Sequence, residues 1–169
     1  MRFAILACAA ALPASVFAAP APPVSWGKPG VSLTTYRAES IGCAMRAYYT
    51  DVADTNGAKN FVQASRLLDT YAGAPGNAMD NARMMGSIVQ GTHVDESLKD
   101  VKRFQIGLLD KCLAEHGYHR FRLTDEQRRH LEKLKIGSDA RHVYLHRLAS
   151  DPQILSAQVE PDSAPAAHN

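Results

Sequence analysis

From about residue 34 onward, apolar positions recur at helical spacing, and polar breakers divide the chain into segments. In "TTYRAESIGCAMRAYYTDV" (34–52), Ile41, Met45 and Tyr48 stand at i, i+4 and i+7. Cys43, Ala44 and Ala47 widen that face, so the pattern predicts a helix with a Thr cap and its cysteine near the core side. "TNGAKNFVQASRLLDTYA" (55–72) repeats the arrangement, with Thr55 as cap and a stripe of Phe61, Ala64, Leu67, Leu68 and Tyr71. "GAPGN" (73–77) breaks it.

"AMDNARMMGSIVQG" (78–91) carries Met79, Ala82, Met85 and Val89 at helical spacing, weakened by Gly86. "VDESLKDVKRFQIGLLDKCLAEHGY" (94–118) reads as the longest helix, its buried side marked by Leu98, Val101, Leu108, Leu109, Cys112 and Leu113. Asp95 and Glu96 suit the positive end of its dipole, and Gly117 is the expected left-handed stop. Thr124 and Gln127 then form a capping box for a helix ending at Gly137. Ser138 caps "DARHVYLHRLAS", whose inner side is read as Val143, Tyr144 and Leu148. Asp151 caps a short last turn that begins with Pro152.

No stretch alternates with period two for long enough to demand a strand. The expected fold is therefore all-α, a small disulfide-stapled bundle of about five to six helices spanning residues 34–158. "APAPPVSWGKPGVS" (19–32) opens the leader (19–33) with four prolines and two glycines, which makes it extended and irregular. Trp26, the single tryptophan, is expected to dock on the core and pin that leader. The Pro/Ala-rich tail, 159–169, is expected to be disordered.

"MRFAILACAAALPASVFA" has one charge, Arg2, followed by an apolar run ending in small residues. Val16 and Ala18 suit a signal-peptidase site, so residues 1–18 read as a signal peptide cleaved between Ala18 and Ala19. The alternative is a lipobox at "ILAC" (5–8), which would leave the protein lipid-anchored through Cys8. No later segment is apolar enough for a transmembrane span. Removing Arg2 lowers the net charge from +2 to +1, which gives no global argument for nucleic acid or an acidic substrate.

Two cysteines then remain, Cys43 and Cys112, each on the apolar side of its helix. In an oxidising compartment such a pair reads as a structural disulfide, one worth about 4 kcal/mol in the chain-entropy model. A reactive thiol is the alternative, since His116 stands four positions after Cys112, although there is no C-x-x-C.

Four stretches, "WGKPGVS", "YRAESIGCAMRAYY", "CLAEHGYHRFRLTDEQRRHL" and "GSDARHVYLHRLASDP", resemble a group of uncharacterised small secreted alphaproteobacterial proteins, chiefly sphingomonad. More loosely, Tyr36, Glu39 and Cys43, with Cys112, Leu113, Gly117 and Tyr118, match a paired-cysteine pattern similar to that of many small envelope proteins and lipoproteins. The resemblance covers most of the mature chain. It implies an exported helical protein with a disulfide and no known reaction. The glycine-zipper segment some of those proteins carry is missing, so a membrane-inserting role is not implied.

Five of the seven histidines lie between 116 and 146. His142 and His146, at i and i+4, are the candidate metal pair, but H-x-x-x-H lacks a third ligand and the zincin Glu. His93, Asp95 and Glu96 offer a weaker set, of which a helix start explains the two acids more simply. Residues 116–147 hold eight Lys/Arg against four Asp/Glu. That region suits an anionic envelope surface or an envelope protein rather than nucleic acid, or simply a solvated face with i, i+3 and i, i+4 pairs. No nucleophile elbow, phosphate loop, dinucleotide motif or haem attachment is present. No cofactor and no catalytic residue are expected. The expected role is a periplasmic or secreted, non-enzymatic structural or interaction protein. A ligand- or metal-binding protein using the His-rich C-terminal half is the alternative, and an envelope hydrolase the least favoured reading.

Overall fold

The computed structural model describes residues 23–160. Strand β1 (Val24–Gly27) precedes helices α1 (Leu33–Tyr49), α2 (Asn56–Ala72), α3 (Ala78–Gly91) and α4 (Val94–Glu115). Strand β2 (His119–Arg122) leads into α5 (Asp125–Lys133), α6 (Asp139–Ser150) and the seven-residue α7 (Pro152–Gln158). The molecule is thus predominantly helical, and the two strands form one small antiparallel pair. No helix among the described residues is long and apolar enough to cross a membrane.

The caps explain why the helices start where they do. Thr55, Thr124, Ser138 and Asp151 each accept a backbone N–H from the first turn of their helix, as their sequence positions suggest. Both halves of the Thr124–Gln127 capping box form. The first helix differs, because Ser32, not a threonine, receives Thr35 N–H at 3.1 Å.

The leader is more ordered than its prolines and glycines imply. Val24 pairs with Arg122 and Gly27 with His119, a ladder too short to leave an alternating signature. Beyond β1, Lys28 N–H reaches Ala149 O at 2.8 Å and Gly30 N–H reaches Ser150 O at 2.9 Å. Gly27 has no space for a side chain, since a Cβ there would lie 2.5 Å from Leu155 Cδ2 and 2.7 Å from Ala149 O. Val159, assigned to the tail on sequence, bridges to Phe121, and Glu160 N–H bonds Arg120 O. The described contacts therefore continue through Glu160. The expectations for residues 1–22 and 161–169, including the Ala18–Ala19 cleavage, Cys8 and most of the tail, lie outside the described residues.

Two buried clusters organise the packing. One joins Phe121, Leu123, Leu131, Leu148, Ala149 and Leu155, so it ties β2 to α5, α6 and α7. The other joins Cys43, Cys112, Leu113 and Tyr118, with Trp26 and Leu109 against it. Tyr36 packs on both. α2 and α3 contribute no buried apolar side chain to either cluster, and Gly57 is the buried residue of the pair.

Several predicted faces are rotated. Ile41, Met45 and Tyr48 are 58%, 53% and 70% exposed, while Cys43 and Ala47 are buried. α1 is apolar on more than one side, so periodicity alone admits two stripes. The disulfide and the contacts of Tyr36 select the other one. Val143 is likewise exposed, and α6 turns Leu148 and Ala149 inward. Met79, Val89 and Leu98 also face outward. In α3 the half-buried row is Asn81, Met85 and Ile88, ending at buried Thr92. On α2, by contrast, Phe61, Ala64, Leu68 and Tyr71 are half-buried as their spacing implies, and Leu67 is exposed.

Candidate functional site

The most concentrated chemistry lies where α1, the end of α4 and the leader meet. α1 presents Tyr36, Glu39 and Cys43 at i, i+3 and i+7, the spacing that stacks side chains on one helix face. α4 delivers Cys112 and Leu113 to the same corner, then ends. Gly117, at φ 79°, takes the left-handed conformation that costs other residues. Gly117 N–H bonds Ala114 O and Tyr118 N–H bonds Leu113 O, closing the helix end. The Tyr118 ring is thereby aimed back beneath the last turn and is almost fully buried.

The disulfide between Cys43 and Cys112 is present, with their Cα atoms 5.5 Å apart. Both cysteines are therefore committed to one bond in this state, and the reactive-thiol alternative does not apply to it. Trp26 rests on this cluster and donates its indole N–H to Asp110 Oδ1 at 3.1 Å, which pins the leader as expected.

Glu39 is the hub. Its Oε2 accepts the Tyr118 hydroxyl at 2.7 Å and lies 3.7 Å from Lys28 Nζ. Its Oε1 lies 3.5 Å from His116 Nδ1. Lys28 also stands over the Tyr118 ring, 5.5 Å from its centroid. The Tyr118 hydrogen bond, helped by Lys28 and His116, holds the Glu39 carboxyl below the ordinary carboxylate range. Burial, reinforced by the bond to a carboxylate, pushes the Tyr118 phenol well above its ordinary value. Burial also raises Tyr36, whose ring lies 6.1 Å from that of Tyr118.

Neither shift moves its group toward neutrality. A general acid or base works best with its pKa near the working pH. Here the carboxyl moves down and the phenol up, both away from neutrality. The contacts tie α1, the residues just after α4 and the leader to one another. The paired-cysteine resemblance groups Tyr36, Glu39, Cys43, Cys112, Gly117 and Tyr118 in one pattern and says nothing of their contacts. In the sequence His116 shows only its spacing from Cys112 and its place at a helix C-terminus, where the dipole favours histidine. Lys28 carried no signal, because its role depends on the path of the leader.

The candidate metal pair behaves differently from a ligand pair. His142 is exposed, while His146 is half-buried against the Tyr36 ring, with centroids 5.7 Å apart. His146 Nε2 lies 2.8 Å from Val31 O, and a carbonyl only accepts, so that nitrogen carries the proton. His93 and Glu96 approach to 4.0 Å at an exposed helix start, and Asp95 is exposed as well. In the basic region, Arg122 pairs with Glu160 and Arg128 with Asp125, and Arg141 donates to Leu131 O. Part of that positive surface is therefore internally matched.

Two concavities on the described surface are open troughs. One is lined by Glu96, Lys99, Lys102, Arg103 and Ile106 on α4. The other runs along β2 and α7 past Arg120, Arg122 and Thr124. Comparison with known protein families, curated proteins and solved structures yields no match to this chain.

Proposed function

We propose that the chain is exported to the bacterial periplasm and acts there as a structural or interaction protein rather than as a catalyst. The observation that carries this reading is the ridge of Ile41, Met45 and Tyr48 on α1. Three large apolar side chains at i, i+4 and i+7 stand more than half exposed on a helix whose opposite side is held by a disulfide. Tyr49 extends the ridge, its ring packed edge-on against Tyr48 at 5.2 Å. Exposed apolar side chains grouped on a rigid element are what interaction surfaces use. The pKa directions at Glu39 and Tyr118, away from neutrality, favour the same side of the choice. A disulfide is compatible with an oxidising compartment.

A photo-cross-linking residue at position 48, introduced into the chain expressed in its native envelope, tests this reading. The expected result is one discrete cross-linked species from the periplasmic fraction, lost when Ile41→Asp and Met45→Asp are added. The double variant should keep the wild-type melting temperature, since neither side chain is in the core. A cytoplasmic location with free thiols, or no cross-link at position 48 under conditions that trap a known periplasmic complex, would reject it.

A further inference from the structure

His116 stands beside the Cys43–Cys112 disulfide, and Glu39 stands beside His116. We propose that reduction of Cys43–Cys112 converts this corner into a thiophilic metal site, in which the two cysteine sulfurs and His116 hold a zinc-class divalent cation. The two Sγ atoms and a ring nitrogen of His116 all lie within 4.8 Å of one another. Tetrahedral zinc, with sulfur at about 2.3 Å and nitrogen at about 2.0 Å, needs its ligands roughly 3.5 Å apart. Rotation of the two freed cysteine side chains, on backbones 5.5 Å apart at Cα, supplies that spacing.

The surroundings favour a metal over two bare thiols. Both cysteines are buried, at 1% and 5% exposure, while the His116 side chain is 47% exposed and closes the corner on its solvent side. Glu39 Oε1, 3.5 Å from His116 Nδ1, stands where a carboxylate orients a metal-binding imidazole. That carboxylate is held in turn by the Tyr118 hydroxyl and by Lys28. Three different segments, α1, the α4 end and the residues just after it, thus converge on one point before any metal arrives.

The chemistry balances with a dithiol as reductant. Its two S–H groups become one disulfide, and Cys43 and Cys112 receive the two electrons and two protons to become thiols. A divalent cation then displaces both thiol protons to solvent and takes its third bond from the unprotonated nitrogen of His116, with water in the fourth position. The covalent staple between α1 and α4 is replaced by a coordinate one. A chain losing its disulfide to a reductant would keep its corner closed as long as metal is present.

The test uses purified chain, reduced anaerobically with a non-chelating phosphine and titrated with Co²⁺ alone. The expected result is one equivalent bound, with thiolate-to-cobalt charge-transfer absorption and the visible bands of tetrahedral Co²⁺, both bleached by Zn²⁺. Oxidised chain should show neither band. His116→Ala should weaken binding by at least about tenfold, and Glu39→Gln by a smaller factor. His142→Ala should bind like the wild type. If the reduced chain loses helix, Zn²⁺ should restore its far-ultraviolet dichroism in the wild type and fail to do so in His116→Ala. Absence of tetrahedral bands, equal affinity in His116→Ala, or helix recovery that ignores His116 would each overturn the proposal.

Discussion

The hydroxyl of Tyr118 donates to Glu39 Oε2 at 2.7 Å, joining the residue just beyond α4 to the middle of α1 across 79 positions of sequence. The bond sits directly beside the Cys43–Cys112 bridge, so the same two elements are tied once covalently and once by charge-assisted hydrogen bonding.

This pairing makes stability depend on pH at both ends. The Tyr118 and Tyr36 phenols have raised pKa values in the fold, so only the unfolded chain ionises them near the ordinary value of about 10. Their contribution is complete below that pH and is lost as pH rises beyond it. Glu39 is the reverse case, because its lowered pKa gives stability present above the ordinary carboxylate range and lost as pH falls through the depressed value. Melting temperature should therefore fall above about pH 10, and less steeply in Tyr118→Phe. Tyrosinate absorbance of the wild type against Tyr36→Phe and Tyr118→Phe should show these two phenols ionising only with unfolding. Either phenol ionising in the native chain near its ordinary value would contradict the environment of Tyr36 and Tyr118.

The disulfide makes a separate demand on mutants. Cys43→Ser and Cys112→Ser remove the same bond, so each should lower stability by a similar amount, on the order of 2–5 kcal/mol. The double variant should add little to either single one, because residues that share one interaction are not additive. Denaturant melts of the three variants check this. Clearly additive losses would mean that each cysteine contributes independently of the bridge.

Glycines at two helix positions should respond in opposite directions. A Cβ at Gly57 would lie 2.1 Å from Ser97 O, at the point where α2 meets α4, and Gly57 N–H bonds Asp100 Oδ2 at 2.9 Å. Gly57→Ala should cost about 1–3 kcal/mol through overpacking. At Gly42 nothing lies within 4 Å of a Cβ, so Gly42→Ala should stabilise by about 0.5–1 kcal/mol through helix propensity. Hydrogen exchange should localise the first effect. α2 and α3, whose apolar side chains are at most half-buried, should lose protection while the end of α4 and α6 keep theirs. Uniform loss across the molecule would show that α2 and α3 are integral to the main core.

These comparisons also show which features a sequence can reveal. Caps and stops depend on neighbours within a few positions, so Thr55, Thr124, Gly117, Ser138 and Asp151 were legible. The cysteine pair was legible from count and helix side. The inward face of α1 was not, because Ile41, Met45 and Tyr48 have the same period as Tyr36, Cys43 and Ala47, and only tertiary contacts distinguish them. The β1–β2 pair was hidden because four residues per strand are too few for an alternating pattern. The Glu39 hub needed three segments to meet, and Lys28 reaches it only because the leader is laid along α6 by Ala149 O and Ser150 O.

The last prediction concerns His142 and His146, which share a helix face by spacing but not by role. A metal bridging them needs an unprotonated nitrogen from each imidazole. His146 Nε2 is protonated and committed to Val31 O at 2.8 Å, where it secures the chain between β1 and α1. Binding through that nitrogen would break the bond and leave the buried Val31 without that contact. Binding through Nδ1 would have to be reconciled with the packing of the ring on Tyr36, 5.7 Å away. Micromolar Zn²⁺, Cu²⁺ or Ni²⁺ should therefore leave the melting curve of the oxidised chain nearly unchanged. A site at a hundredfold excess over Kd would instead stabilise by about 2.7 kcal/mol. His146→Ala should lower the melting temperature by itself, having lost an anchor of the leader, while exposed His142→Ala should be close to neutral. Matching metal-dependent shifts, abolished equally by His142→Ala and His146→Ala, would show that the two imidazoles act as ligands after all.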